Sequence, residues 1–587
     1  MGARVPLRQG IVAAPSPGAR WNPPGPRDAP PAGPVSAPLV HPLCERVEKW
    51  LASRESAVVR SPVGALEVNR LAYRVPGGRQ LFDDVSFRVG DAEHAALVGA
   101  NGVGKTTLIR VIAGDERAAA GAIAVDGRLG VMRQFVGSIR DHTTVRDLLL
   151  AVSPTEVRDA DAHLVTAERA ADESATPEAG IRLANAWAHW GDVGGYDAEV
   201  LWDACTVAAM RAPLADVASR PVGTLSGGEQ KRLVLEALLR GDADVLLLDE
   251  PDNYLDVPGK RWLEESIRQT TKTVLFASHD RELLEQTGAK VVTLEGRGAW
   301  THGATFATWN AARQDRLARI DDEHRRWQEE RKHLEDQIRE LRRRSQVTDA
   351  FASRLRATHT KLRRHDAAPP RERPQNQSVT IRIEGGRTGK RAVVVEDLSF
   401  PGIVDPFTTE VLFGERVGVL GLNGTGKSHF LALLAGEPVE HEGSGVLGAR
   451  VVPGYFSQTH DRPDLVGRVT LDILFASGLG RGGAMATLRR YELSSAADQV
   501  FDTLSGGQQA RLQILLLEVS GATMLLLDEP TDNLDVASAE ALEPALGAFE
   551  GTVLSVTHDR WFMRSFDRFL VFRRDGSVIE SLEPVWE

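Results

Sequence analysis

"LSGGEQKRLVLEALLRGDADVLLLDEPDNYLD", residues 225–256, sets a serine and two glycines at the start of a helical pattern and two acids at the end of an apolar run. Nearly the same text returns at 504–535 as "LSGGQQARLQILLLEVSGATMLLLDEPTDNLD". The match extends outward: "LVGANGVGKTT" (97–107) corresponds to "VLGLNGTGKSH" (419–429), and "VLFASHD" (274–280) to "VLSVTHD" (553–559). A repeat of this length is a whole domain, so the chain reads as a tandem duplication. Ser226 and Ser505, Asp249 and Asp528, and His279 and His558 are each 279 residues apart, whereas Gln134 and Gln458 are 324 apart. The first copy therefore carries an insertion of 45 residues, within 140–205.

At 587 residues the chain is too long for one ordinary core. With 42% hydrophobic and 26% charged residues it fits a soluble globular protein, and no apolar run reaches the ~18 residues of a membrane span. The net charge of −11 argues against unspecific polyanion binding by the whole surface, while leaving room for a local basic patch. Cys44 and Cys205 are too few for a metal-cluster motif or a disulfide framework, which points to a reducing, cytoplasmic setting. Residues 1–42 hold 11 of the 30 prolines and read as disordered.

Short apolar runs ("AALVG", "VLLLD", "TVLFAS") alternate with amphipathic helices, predicting an α/β fold with buried, mostly parallel strands in each copy. Leu317, Ile320, His324, Trp327, Arg331, Leu334, Ile338 and Leu341 alternate spacings of three and four, the mark of a long helix. Phe351, Leu355 and Leu362 mark a second, so the two predict an α-helical hairpin. The expected organisation is a proline-rich tail (1–62), a first P-loop unit (65–318), the hairpin linker (319–377) and a second P-loop unit (378–587).

Gly99, Ala100, Asn101, Gly102, Val103, Gly104, Lys105 and Thr106 fit the phosphate-binding loop pattern, followed by Thr107. Gly421, Leu422, Asn423, Gly424, Thr425, Gly426, Lys427 and Ser428 repeat it. Glycines let the backbone curl so that its N–H groups meet phosphate oxygens, and the helix that follows adds a positive dipole end. Lys105 and Lys427 would reach the β- and γ-phosphates of ATP, and Thr106 and Ser428 would ligate Mg²⁺. Asp249 and Asp528 end apolar strands, as Mg²⁺-organising acids should, and Glu250 and Glu529 follow as candidates for activating the attacking water. His279 and His558 follow a second strand as γ-phosphate sensors, and Gln134 and Gln458 are further nucleotide and Mg²⁺ candidates.

The Ser-Gly-Gly motif resembles the signature of ATP-binding cassette (ABC) proteins, whose other motifs match those above. The resemblance implies that Ser226, Gly227 and Gly228, and likewise Ser505, Gly506 and Gly507, meet the nucleotide held by the opposite cassette. One site would then combine Lys105, Asp249, Glu250 and His279 with Ser505 and Gly507, and the other Lys427, Asp528, Glu529 and His558 with Ser226 and Gly228. Two cassettes with a hairpin between them resemble the F subfamily, which implies action on the ribosome, either as a translation factor or in protection against antibiotics. Such a chain pairs its own cassettes as a monomer and inserts in no membrane. Residues 324–366 hold 13 Lys or Arg against 7 Asp or Glu, a basic arm that would meet rRNA and P-site tRNA. An ATPase serving a separate membrane transporter would show the same cassette motifs. The family's "EPTNHLD" reads "EPDNYLD" here, with Asp252 and Tyr254 altered, and Ala510 stands where the first signature has Lys231. Val75, with Tyr73 nearby, holds the place of an adenine-stacking aromatic.

Overall fold

The computed structural model describes residues 64–586, apart from 175, 346–351, 371–380, 382–388, 458–461, 463 and 532–533. Each copy is built on a parallel core of five strands. In the first copy their order is Leu129–Met132, Val245–Asp249, Thr273–Ala277, His94–Val98 and Lys290–Glu295. In the second it is Pro453–Phe456, Met524–Asp528, Thr552–Val556, Arg416–Gly421 and Arg568–Phe572. Val245–Asp249 and Thr273–Ala277 are buried at every position, which explains why they read as unbroken apolar runs. Antiparallel strands flank each core: Ala65–Arg74 pairs with Gln80–Val89 and Ala120–Asp126, and Arg391–Phe400 pairs with Val404–Leu412 and Glu442–Leu447.

The phosphate-loop strand of each copy lies between neighbours that are distant in sequence. That topology opens a crevice at the strand ends, where ligands of α/β sheets bind. The quoted motif brings its acids there, because Asp249 and Asp528 are the last residues of their strands.

The insertion forms three helices, Thr155–Glu173, Pro177–Asp192 and Gly195–Met210, which bury Trp190, Trp202 and Cys205. Its third helix runs past the expected end at 205, because subtracting spacings fixes an insertion's length but not its borders.

Phe306–Ser345 is one 40-residue helix, about 60 Å long at 1.5 Å per residue. It passes through the expected boundary at 318 without a break. Its first turns are anchored on the first copy, where Trp309 Nε1 donates to Thr293 Oγ1 at 2.8 Å and Arg313 pairs with Glu295 at 2.7 Å. Asn310 Nδ2 also donates to Glu540 of the second copy at 3.3 Å, so the arm is rooted on both. Helix Ala352–Asp366 folds back along it: Trp327 stacks on His365 at 4.8 Å and Arg331 pairs with Asp366 at 2.9 Å. Leu317, Ile320, Leu334 and Ile338 of the periodic stripe are buried, and Trp327 and Arg331 of the same stripe make the contacts to the returning helix.

Candidate functional site

The chain leaves strand His94–Val98 and starts helix Lys105–Ala113 through a turn that only glycine can close. Gly104 has φ +109°, and a Cβ there would lie 2.7 Å from Leu81. Gly426 repeats this in the second copy, with φ +92° and a Cβ position 2.8 Å from Val404. A helix beginning at the lysine presents its first N–H groups to an anion. Lys105 Nζ donates to the carbonyls of Gly99 (2.8 Å) and Ala100 (3.3 Å), as Lys427 Nζ does to Gly421 (2.9 Å) and Leu422 (2.7 Å). Burial lowers the pKa of both lysines, against the pull of Glu250 in one site and Glu529 in the other.

In the first site the two halves share one cavity of about 380 Å³. Asn101, Gly102, Gly104, Lys105, Thr106 and Thr107 line it from one cassette, with Gln134, Glu250 and His279, while Ser505, Gly506 and Gly507 line it from the other. Thr106 Oγ1 donates to Gln134 Oε1 at 3.4 Å, and Gln134 Nε2 donates to Glu250 Oε2 at 2.9 Å. Asn253 Nδ2 donates to the same Glu250 oxygen at 2.8 Å.

Burial, with Glu250 adding, pushes the Asp249 carboxyl up to about 6, and its Oδ1 is buried without a hydrogen-bond partner. Both ring nitrogens of His279 are likewise buried without a partner. Burial and the Lys105 charge take that imidazole down to about 3, so it is neutral at pH 7. Buried polar atoms in this state call for a ligand, and the set fits a metal–nucleotide: an acceptor for a cation beside Thr106, and a histidine beside the phosphate loop. Ser505 caps helix Gly506–Val519, its Oγ accepting from the Gln508 N–H at 3.4 Å. The far end of the repeated stretch takes part too, since Asp535 Oδ2 accepts from the Asn101 N–H at 3.0 Å.

The family profile described as "ABC transporter" matches residues 82–253 and 404–532. An "Antibiotic resistance protein" of Mycobacteroides abscessus is 52% identical over 548 residues, covering 89% of this chain and 99% of that one. The "ABC transporter F family member 5" of Arabidopsis thaliana is 29% identical, covering 91% of this chain and 78% of that one. The "Energy-dependent translational throttle protein EttA" of Escherichia coli is 28% identical, covering 88% and 93%. The chain belongs to the F subfamily of ATP-binding cassette proteins. It is a nucleotide-binding ATPase.

In the second cassette of this ABC-F protein the phosphate-loop serine and the strand-end acid also meet at a cavity. Ser428 and Asp528 line a cavity of about 470 Å³ with Ile403, His429, Tyr455 and Ser457. Ser226, Gly227 and Gly228 do not line that cavity, and Gln458 lies outside the described residues. Ser226 caps helix Gly227–Arg240, and the connection to the second phosphate loop runs through Tyr254. The Tyr254 carbonyl accepts from Asn423 Nδ2 at 3.3 Å, and a Cβ on Gly228 would lie 2.8 Å from that same oxygen. Glu529 Oε2 accepts from the His558 backbone N–H at 3.0 Å. Burial, then Lys427 and Lys260, hold the His558 imidazole well below its ordinary pKa.

Several residues of the cassette interface carry no motif. Arg281, next to Asp280, pairs with Glu543 and with Asp559 at 3.3 Å. Arg560 reciprocates, pairing with Glu264 and approaching Asp280 at 4.0 Å. Arg281 and Arg560, like Glu264 and Glu543, are 279 residues apart, so the repeat spacing was the signal that could have found them. In place of a stacking aromatic, Val75 lines the first cavity, while Tyr73 is buried and donates its hydroxyl to Glu116.

Proposed function

We propose that this protein hydrolyses Mg²⁺-ATP at two composite sites between its cassettes, and uses the resulting opening and closing to act on the ribosome. Thr106, Gln134 and Asp249 would hold the cation in the first site, and Ser428, Gln458 and Asp528 in the second. Glu250 and Glu529 would accept the proton of the attacking water, with His279 and His558 sensing the γ-phosphate. A cytoplasmic monomer with intramolecular cassette pairing suits this reading.

The observation that carries it is the arm. Helix Ala352–Asp366 bears Arg354, Arg356, Lys361, Arg363 and Arg364, all exposed, against the single acid Asp366. On the first helix, by contrast, Arg325, Arg331, Arg339 and Arg343 each pair with an acid one turn away. A rigid arm rooted on both cassettes and basic along its returning helix suits rRNA and P-site tRNA, since phosphate attraction supplies much of such affinity. The relatives named for antibiotic resistance and for a translational throttle support the ribosome as the target, and the 52% identity favours the protective role.

A variant with Glu250→Gln and Glu529→Gln, trapped with ATP, should sediment with ribosomes, and rising salt should weaken the association. Replacing the five cations of the returning helix, or Arg342, Arg343 and Arg344 near the tip, with glutamine should release it while ATP binding persists. A trapped protein that left ribosomes alone and fractionated with membranes would overturn the reading in favour of a transporter ATPase.

A further inference from the structure

The two cassettes differ in one buried corner. The first carries Lys231, Asp252 and Lys260 where the second, 279 residues on, has Ala510, Thr531 and Ala539. All three charged side chains are buried. A buried charge destabilises a fold unless it is paired, so three in one copy and none in the other require an account.

Each lysine joins elements of different sites. Lys231 stands on the signature helix, five residues after Ser226, and donates to the main-chain carbonyl of Glu250. Its ammonium also lies 5.7 Å from the ring centre of Tyr254, whose carbonyl holds Asn423 of the second phosphate loop. Lys260 stands on helix Val257–Gln269 and pairs at 2.9 Å with Asp280, the residue after His279. The same ammonium reaches the carbonyl of His558, in the other site, at 3.5 Å. Asp252 links the two: both lysines attract its carboxylate, Asp280 repels it, and Ser278 bonds to it. Signs alternate along Lys231, Asp252, Lys260 and Asp280. With alanine at 510 and 539, the second cassette can build no such chain, and its counterpart acid Asp559 is met by Arg281 alone among the pairs described.

We infer that Lys231, Asp252 and Lys260 are positioning residues that make the two ATP sites unequal. They brace the Glu250 and His279 loops of the first site against the signature helix of cassette one and the His558 loop of the second site. Cassette two, with Ala510 and Ala539, supplies neither lysine to the Glu529 and His558 loops. This rests on the two composite sites proposed above.

The test compares the two single-site enzymes. Glu529→Gln leaves the first site to hydrolyse ATP, and Glu250→Gln leaves the second. Their turnovers should differ by about tenfold or more, the worth of one charge-assisted hydrogen bond. Placing Lys231→Ala, Asp252→Thr and Lys260→Ala in both backgrounds gives cassette one the residues of cassette two and removes both signs of charge together. The ratio should then fall to within about threefold, while Lys260→Arg, which keeps the charge, should preserve it. A native ratio near one, or a ratio unmoved by the triple replacement, would overturn the inference. Where the triple variant loses cooperative melting, Lys231→Met alone should still reduce the ratio, and no change there overturns the inference equally. A separate control guards the underlying reading: Ser505→Arg in the Glu529→Gln background should abolish turnover. Survival of turnover there would refute composite sites whatever the ratio does.

Discussion

Glu250 accepts two hydrogen bonds on one oxygen, from Gln134 Nε2 at 2.9 Å and Asn253 Nδ2 at 2.8 Å. Glutamine in its place can offer an amide oxygen to the same two donors, so the substitution keeps the shape of the loop and removes little but the ability to take a proton. Two magnitudes then separate the possible roles. If the carboxylate served only to hold Gln134 and Asn253, weakening those bonds would cost about 1 kcal/mol, or roughly fivefold. If it accepts the proton of the attacking water, turnover should fall by about 10²–10⁴, equivalent to about 2.7–5.5 kcal/mol of barrier. Glu529 makes the same case in the second site through its bond from the His558 N–H at 3.0 Å. The double variant Glu250→Gln/Glu529→Gln should therefore bind ATP as the native protein does in equilibrium filtration. Its single-turnover phosphate release at saturating ATP should be at least a hundredfold slower. Release within about fivefold of native would show that both carboxylates act only as scaffolding, and the water-activating role would have to be given up.

Two further outcomes follow from the buried charges. His279 is held at about 3 by burial and by Lys105, while an unfolded histidine takes its proton near 6.5. Below that pH the unfolded chain binds more protons, so His279 penalises folding increasingly as pH falls from about 6.5 towards 3, by about 1.4 kcal/mol per pH unit. Urea melts at pH 7 and pH 5 should show a shallower pH dependence for His279→Gln than for the native protein; identical slopes would mean that the imidazole is charged in the fold. The Arg560–Glu264 pair, nearly buried on both sides, should show a coupling of about 1–3 kcal/mol in a double-mutant cycle read by denaturant unfolding. A coupling near zero would remove that pair from what holds the cassettes together.

The parts of this protein legible in its sequence are those whose chemistry demands neighbouring residues. A phosphate loop needs Gly104 next to Lys105 because one turn must both curl and present the lysine, and the acids must follow their strand because they sit at its end. Interface contacts obey no such local rule: Arg281 finds Glu543 at a distance of 262 residues, through a packing that no stretch of either cassette encodes alone. The two departures from the family pattern illustrate the boundary. Read along the chain, Asp252 and Tyr254 are merely unusual letters, and Lys231 against Ala510 is a third. In the fold, Asp252 and Tyr254 both face the buried Lys231, so one buried cation accounts for both changes. Burial lowers that ammonium to about 8 against the attraction of Asp252, so losing Asp252 alone would leave a buried charge with less to hold it. Cassette two avoids the problem by having alanine at that position. The substitutions are therefore intelligible only as a set, and a set is what a residue-by-residue reading of the repeat cannot supply.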